Sequence, residues 1–398
     1  MTIAKLFAML GAGVLSIWIA AKFVPSGSSA PATLTAWSPK AAAAYLDQRA
    51  AWWITWPGSA RDHGTFCISC HTALPYALSR SALRAALGET DLSANERKLL
   101  NNVNERVRLW NEAAPFYGEQ VGPHKSSQSR GTESVLNALI LASYEVRNGT
   151  LSDSVRAAFQ NMWALQETTG DDKGAWPWLD FANQPFEAHD SLFYGASLAA
   201  VAVGIAPEKS RATSDNRGNV TLLREYLDRE YARQSLINQI VVLWASTKLQ
   251  GLLTPKQQDL IVATVLSKQR VDGGWSLSSL AWSWRGSSLK PLIKQWIRAE
   301  DTPLEGKSDG YATGLIAYTL EENGFSPQED HLRRALNWLA HNQSQAEGRW
   351  PGYSLNHPSE RSSTGLFMSD AATSYAVLAL TGADRTDTIS SRRQIHTP

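Results

Sequence analysis

Leu266-Ser267-Lys268-Gln269, followed by Asp272-Gly273-Gly274-Trp275, is the stretch on which the fold turns. A helical run stops at a long amide, a glycine pair turns the chain, and a tryptophan follows. The same order recurs in Trp338-Leu339-Ala340-His341-Asn342-Gln343 before Gly348-Arg349-Trp350, and in stretched form in Leu165-Gln166 before Gly174-Ala175-Trp176. After each tryptophan comes a loop, then an aspartate opening a small-residue helix: Asp190 before Ser191-Leu192, Asp309 before Gly310-Tyr311-Ala312-Thr313, Asp370 before Ala371-Ala372-Thr373. Thr132-Glu133-Ser134 is a degenerate start of the same kind. Recurrence of this sort marks a repeat architecture. It predicts helices of two kinds, long amphipathic and small apolar, alternating in two layers.

Around the repeats, apolar residues at helical period predict helices over Glu133 to Val146, Ser154 to Gln166, Leu192 to Val203, Leu236 to Leu249, Pro255 to Gln269, Tyr311 to Glu322 and Asp330 to Gln343. No run alternates as a strand would, so the class is all-α. The 398 residues suffice for a large core, and 38 basic against 37 acidic side chains leave no basic stripe for nucleic acid. The chain has 16 tryptophans and only 2 cysteines, too few for a disulfide framework.

At the Gln, Gly and Trp positions the chain resembles the squalene-hopene cyclase and terpenoid cyclase superfamily, whose like motifs punctuate an α/α toroid. The resemblance runs from about Arg130 to Gly382 and implies a toroid over 130–398, with the Gln and Trp side chains tying helix ends together. It also implies where catalysis would sit. The cyclases protonate an alkene with an aspartate in a D-x-D-D-T-A motif, whereas this chain reads Asp309-Gly310-Tyr311-Ala312-Thr313. Tyr311 stands at the acid's place, and a phenol of pKa ~10 is too weak for an isolated alkene. The zinc-dependent prenyltransferase branch needs a cysteine in this region, and none follows Cys70. Asp190, Asp309, Asp370 and Tyr311 are therefore the candidate catalytic residues, with helix capping as the structural alternative for the three carboxylates.

Cys67-Ile68-Ser69-Cys70-His71 has the C-x-x-C-H spacing of covalent haem c attachment. Two thiols a turn apart can add to the vinyl groups on one porphyrin edge, and the adjoining imidazole can reach the iron. His63, His124 and Met162 are the candidates for the sixth ligand. A Cys67–Cys70 disulfide is an alternative, as is a zinc site lacking its fourth ligand. The motif falls in a helical segment, 36–129, ahead of the repeats.

Lys5, the apolar run Leu6 to Ala21, Lys22 and a Pro, Ser and Ala-rich stretch have the grammar of an export signal over 1–35. The run spans about 24 Å, short of a ~30 Å hydrocarbon core unless neighbouring residues join it, so a cleaved signal and an inner-membrane anchor over residues 3–24 both fit. Either predicts a periplasmic or other extracytoplasmic protein. Trp52, Trp53 and Trp56, the loop aromatics Trp176, Trp178, Phe181 and Phe186, and Trp282, Trp284 and Trp296 are expected around an apolar or carbohydrate-stacking mouth. Together these features predict an exported c-type haem protein, an electron carrier or oxidoreductase, on a toroid that meets a redox partner protein or a polyprenyl-like small molecule. The alternatives are a haem-free isomerase or lyase of terpenoid cyclase type, and a non-catalytic ligand-binding toroid.

Overall fold

The computed structural model describes residues 37–145, 151–208, 214–281, 306–353, 355 and 365–395, the side chains of 214–215 and 385–395 excepted. The expected export segment and Trp282, Trp284 and Trp296 lie outside the described residues. Among those residues no helix is long and apolar enough to cross a membrane.

Among the described residues twelve long helices make up the fold: α1 (Pro39–Thr55), α2 (Ala73–Ala86), α3 (Ala94–Arg108), α4 (Lys125–Glu145), α5 (Asp153–Ala164), α6 (Ser191–Ile205), α7 (Ser214–Tyr231), α8 (Leu236–Lys248), α9 (Pro255–Ser267), α10 (Gly310–Glu322), α11 (Asp330–His341) and α12 (Phe367–Ile395). A short helical turn, Leu277–Ala281, follows α9. The even-numbered helices pack on one another in the order α2, α4, α6, α8, α10, α12 and back to α2, which closes an inner ring. Each odd-numbered helix packs on the outside of the ring. The protein is an α/α toroid. Of the segment 36–129, expected ahead of the repeats, α2 is a member of this ring and α1 and α3 pack on its outside.

Composition explains the layering. α6 buries Ser191 and every residue from Phe193 to Val203, and α4 buries every residue from Gly131 to Ala142, as helices enclosed on all sides must. The outer α11 buries only Leu332, Ala335, Leu336, Leu339 and Ala340, one stripe at helical spacing.

The Gln-Gly-Trp motif is the joint between successive outer helices. Gln269 donates its amide to the Gly273 carbonyl at 2.8 Å and to His331 O, in α11, at 2.8 Å. Gln166 does the same to Gly174 O at 3.1 Å and to Asn219 O, in α7, at 3.0 Å, so the stretched copy makes the same joint. Gln343 bonds Gly348 O at 2.8 Å and Ser38 O at 3.1 Å, while Ser38 N donates back to Gln343 Oε1 at 2.6 Å. The last joint thus ties the end of α11 to the start of α1. Glycine is needed there: Gly348 has φ +75°, and a Cβ on it would sit 2.3 Å from the Ala41 carbonyl. In each joint the tryptophan drops into the layer between helices and donates Nε1–H to a helix-end carbonyl: Trp176 to Met162 at 2.6 Å, Trp275 to Val265 at 2.8 Å and Trp350 to Leu339 at 2.7 Å.

Candidate functional site

The N-terminal ends of α2, α6, α10 and α12 meet at one pole. There Thr72 bonds Asp370, His71 stacks on Phe367, and Phe186 packs edge-on against Tyr194 at 6.0 Å and Tyr311 at 5.4 Å. The cysteine motif lies at this pole as the cap of α2. Ser69 Oγ accepts from the backbone N–H of Thr72 and Ala73 at 3.2 and 2.9 Å, meeting the free donors of a helix start. Trp53 Nε1 holds the Cys67 carbonyl at 2.7 Å, and Asn102 brackets Phe66 through both its amide N–H and C=O.

This placement corrects the haem reading. Both thiols are free, and Cys67 and Cys70 are 3% and 0% exposed. The His71 ring is stacked at 3.6 Å on Phe367 and meets Trp53 edge-on at 5.3 Å. A porphyrin needs both sulfurs along one edge and a clear approach to the imidazole nitrogen, and packed side chains occupy that space. The residues do not fit the group, so no electron-transfer role follows from it. Burial pushes the Cys67 thiol up to about 12 and that of Cys70 well above its ordinary value, with the neighbouring Glu187 carboxylate adding to the latter. Thiols so protonated are poor nucleophiles. Native protein should therefore leave both cysteines unreacted with a thiol-specific chromogenic disulfide over hours, and denatured protein should release two equivalents at once. Fast labelling of native protein would show the pole to be open.

The candidate sixth ligands do not gather at His71. His63 and His124 are exposed, and Met162 is buried in the outer helix α5. Among the described residues no three His, Cys, Asp or Glu side chains are grouped to hold a metal ion. His71 serves a different network. Thr72 gives its hydroxyl proton to Asp370 Oδ2 at 2.7 Å, so its oxygen accepts from His71 Nδ1 at 3.0 Å. Burial, helped by the Arg49 charge, lowers the imidazole to about 3 and keeps it neutral.

The candidate carboxylates part ways. Asp370 is buried and saturated, taking Arg49 Nε at 2.7 Å and Nη2 at 2.9 Å, Tyr45 Oη at 2.8 Å and Thr72. Asp309 caps α10, accepting from Ala312 N at 2.8 Å and from Leu277 N at 2.6 Å, and burial raises it to about 6 against those donors. Asp190 is exposed and makes no side-chain cap bond. Tyr311 is fully buried and its hydroxyl has no hydrogen-bond partner among the described residues.

Two residues escaped sequence reasoning. Arg49, on α1, anchors Asp370 and lies 4.2 Å over the Trp52 ring. Glu187 is the more telling. Of the buried carboxylates, Glu96 pairs with Arg84, Glu133 with Arg106 at 2.5 Å, Asp370 with Arg49, and Asp309 takes backbone donors. Among the described residues Glu187 has neither an ion pair nor a helix cap, and only the Lys125 charge nearby favours its ionised form. It is held by Asn183 and the Cys70 thiol, and burial raises it to about 7. Its loop is rigidly set: Phe181 N and Asn183 N both donate to Glu187 O, Trp178 Nε1 holds Phe186 O at 2.9 Å, and Ser191 Oγ holds Pro185 O at 3.0 Å. Only its place in an aromatic loop hinted at it.

Of the expected mouth aromatics, Trp176, Trp178 and Phe186 are core residues, 0%, 1% and 0% exposed. Trp52 and Trp56 do form an outer surface. They are half-buried and stacked at 5.1 Å with 21° between planes, and the half-buried Phe367 stands 6.3 Å from Trp52.

No protein-family model matches the chain, and no curated protein does. Among solved structures it is similar to a glycosidase, with a TM-score of 0.49 and 12% identity over 86% of this chain and 97% of that one.

Proposed function

We propose that the protein is a ligand-binding toroid that takes an apolar or planar small molecule on Trp52, Trp56 and Phe367. The observation that carries this reading is the stacked Trp52–Trp56 pair, left half-exposed at the pole where the inner helices begin, while the rings beneath it are packed away. Stacked rings left in water cost apolar surface that a ligand would cover. The resemblance of the joints to the terpenoid cyclase superfamily supports a polyprenyl-like ligand. Titrating geranylgeraniol against tryptophan fluorescence tests the reading. Saturable quenching is expected, weakened about tenfold by Trp52→Ala, as loss of one aromatic contact and its buried area requires. Quenching that fails to saturate, or that Trp52→Ala leaves unchanged, would refute it.

A further inference from the structure

A second concave surface lies on the flank formed by α7 and the end of α8. Arg217, Thr221 and Arg224, spaced four and then three residues apart along α7, line a groove of about 530 Å³. Lys248, Leu249, Gln250 and Glu208 also line it. The donors there are unevenly used. Thr221 and Thr247 spend their hydroxyl protons on the Arg217 and Trp244 carbonyls at 2.9 and 2.7 Å, so they offer oxygens only. Lys248 is paired with Glu322. Arg224 gives Nη2–H to the Gln250 carbonyl at 2.9 Å, while its buried Nε has no partner among the described residues. Arg217 is exposed and makes no ion pair among the described residues. It also stands in the first turn of α7, where a cation opposes the helix dipole.

Two arginines lining one groove, one of them without an ion pair among the described residues, are an arrangement that suits a tetrahedral oxyanion. Glu208 narrows the choice. A carboxylate on the wall repels a fully deprotonated anion but accepts a hydrogen bond from one that keeps an O–H. From these features we infer that the groove binds a phosphate group carrying a proton, as inorganic phosphate or the end of a phosphorylated small molecule, and discriminates against sulfate. The guanidiniums take the charged oxygens, and Glu208 takes the P–O–H.

Calorimetry of the whole protein at low ionic strength, with inorganic phosphate and with sulfate as probes, tests this. Phosphate should bind at least about tenfold more tightly than sulfate, the discrimination expected when one partner of a charge-assisted hydrogen bond is lost. Arg224→Gln should cost about tenfold or more in phosphate affinity. Arg217→Gln, at an exposed position that the fold does not need, should weaken phosphate similarly and leave thermal unfolding unchanged. Glu208→Gln should bring sulfate up towards phosphate. No phosphate binding, equal binding of the two anions, or affinity indifferent to Arg217→Gln would each overturn the inference.

Discussion

Trp350→Ala is expected to lower the free energy of unfolding by about 3–5 kcal/mol, the cost of emptying a large aromatic site in a packed core. Trp350 is 0% exposed, and its ring meets Trp37 at 6.1 Å. Its Nε1–H satisfies the Leu339 carbonyl at the end of α11, and its backbone N–H bonds Thr373 Oγ1 at 3.1 Å. The indole therefore touches an outer helix, an inner helix and the segment entering α1 together. Alanine would leave a cavity between two layers that neither layer can fill by itself, because Gly348 beside it is already against Ala41. Trp350→Phe separates the contributions. It keeps most of the filling and loses the N–H donor, so its cost should be nearer 1–3 kcal/mol, that of one buried unsatisfied carbonyl. Urea unfolding of the three proteins measures both, and an alanine variant as stable as wild type would mean that the joints do not hold the ring. Trp275→Ala should behave alike, since Trp275 repeats the donor bond to Val265 and the backbone bond to Thr313.

Glu187→Gln should stabilise the protein at pH 8 and leave it nearly unchanged at pH 4.5. The folded carboxyl is raised to about 7 by burial, while the unfolded one titrates near ~4.3. Between these values the folded state holds a proton that the unfolded state has released. The contribution of Glu187 is thus fully present below the unfolded pKa and is lost as pH rises through the folded one. Above both, the loss is about 4 kcal/mol, from ~1.36 kcal/mol per pKa unit. Glutamine mimics the protonated acid and carries no such penalty. His71 tilts the other way, because its depressed pKa makes stability fall as pH drops below ~6.5 towards the folded value of about 3. Asp309, raised to about 6, adds to the Glu187 trend. Both groups are the same in variant and wild type, so the difference between the two proteins isolates Glu187. Equal stability differences at pH 4.5 and pH 8 would place Glu187 in contact with water or a cation.

The Gln-Gly-Trp joints were legible because one physical need, closing the gap between two outer helices, recurs with one chemical answer. Their order survives stretching, as Gln166 to Trp176 shows. The first three helices were not legible as part of the ring, because the turn after α1 carries the cysteine motif in place of glycine and tryptophan. That motif misled for a related reason. Spacing reports that two thiols and an imidazole lie within a turn or so, which is as true of a helix cap built on Ser69 as of a haem site. Whether the sulfurs face outward depends on Trp53, Asn102 and Phe367, far away in sequence. α7 went unseen because Arg217, Gly218 and Asn219 interrupt its apolar period. Glu187 went unseen because its character comes from burial against the Cys70 thiol, which is far from it in the chain and which no spacing reports.

The bond between Ser38 and Gln343 spans 305 residues of chain. A ribosome adding about 5–20 residues per second needs roughly 15–60 s to make the second partner after the first. Throughout that interval α1 and α2 have no α12 to lie against, and the apolar flank that Leu46, Ala50 and Leu74 help to bury stays open to other chains. Ring closure is therefore a late, long-range event whose loop entropy is met only when α12 docks. A nascent chain halted after α8 would display two unfinished edges at once, and those edges, more than the finished surface, are where a chaperone would bind.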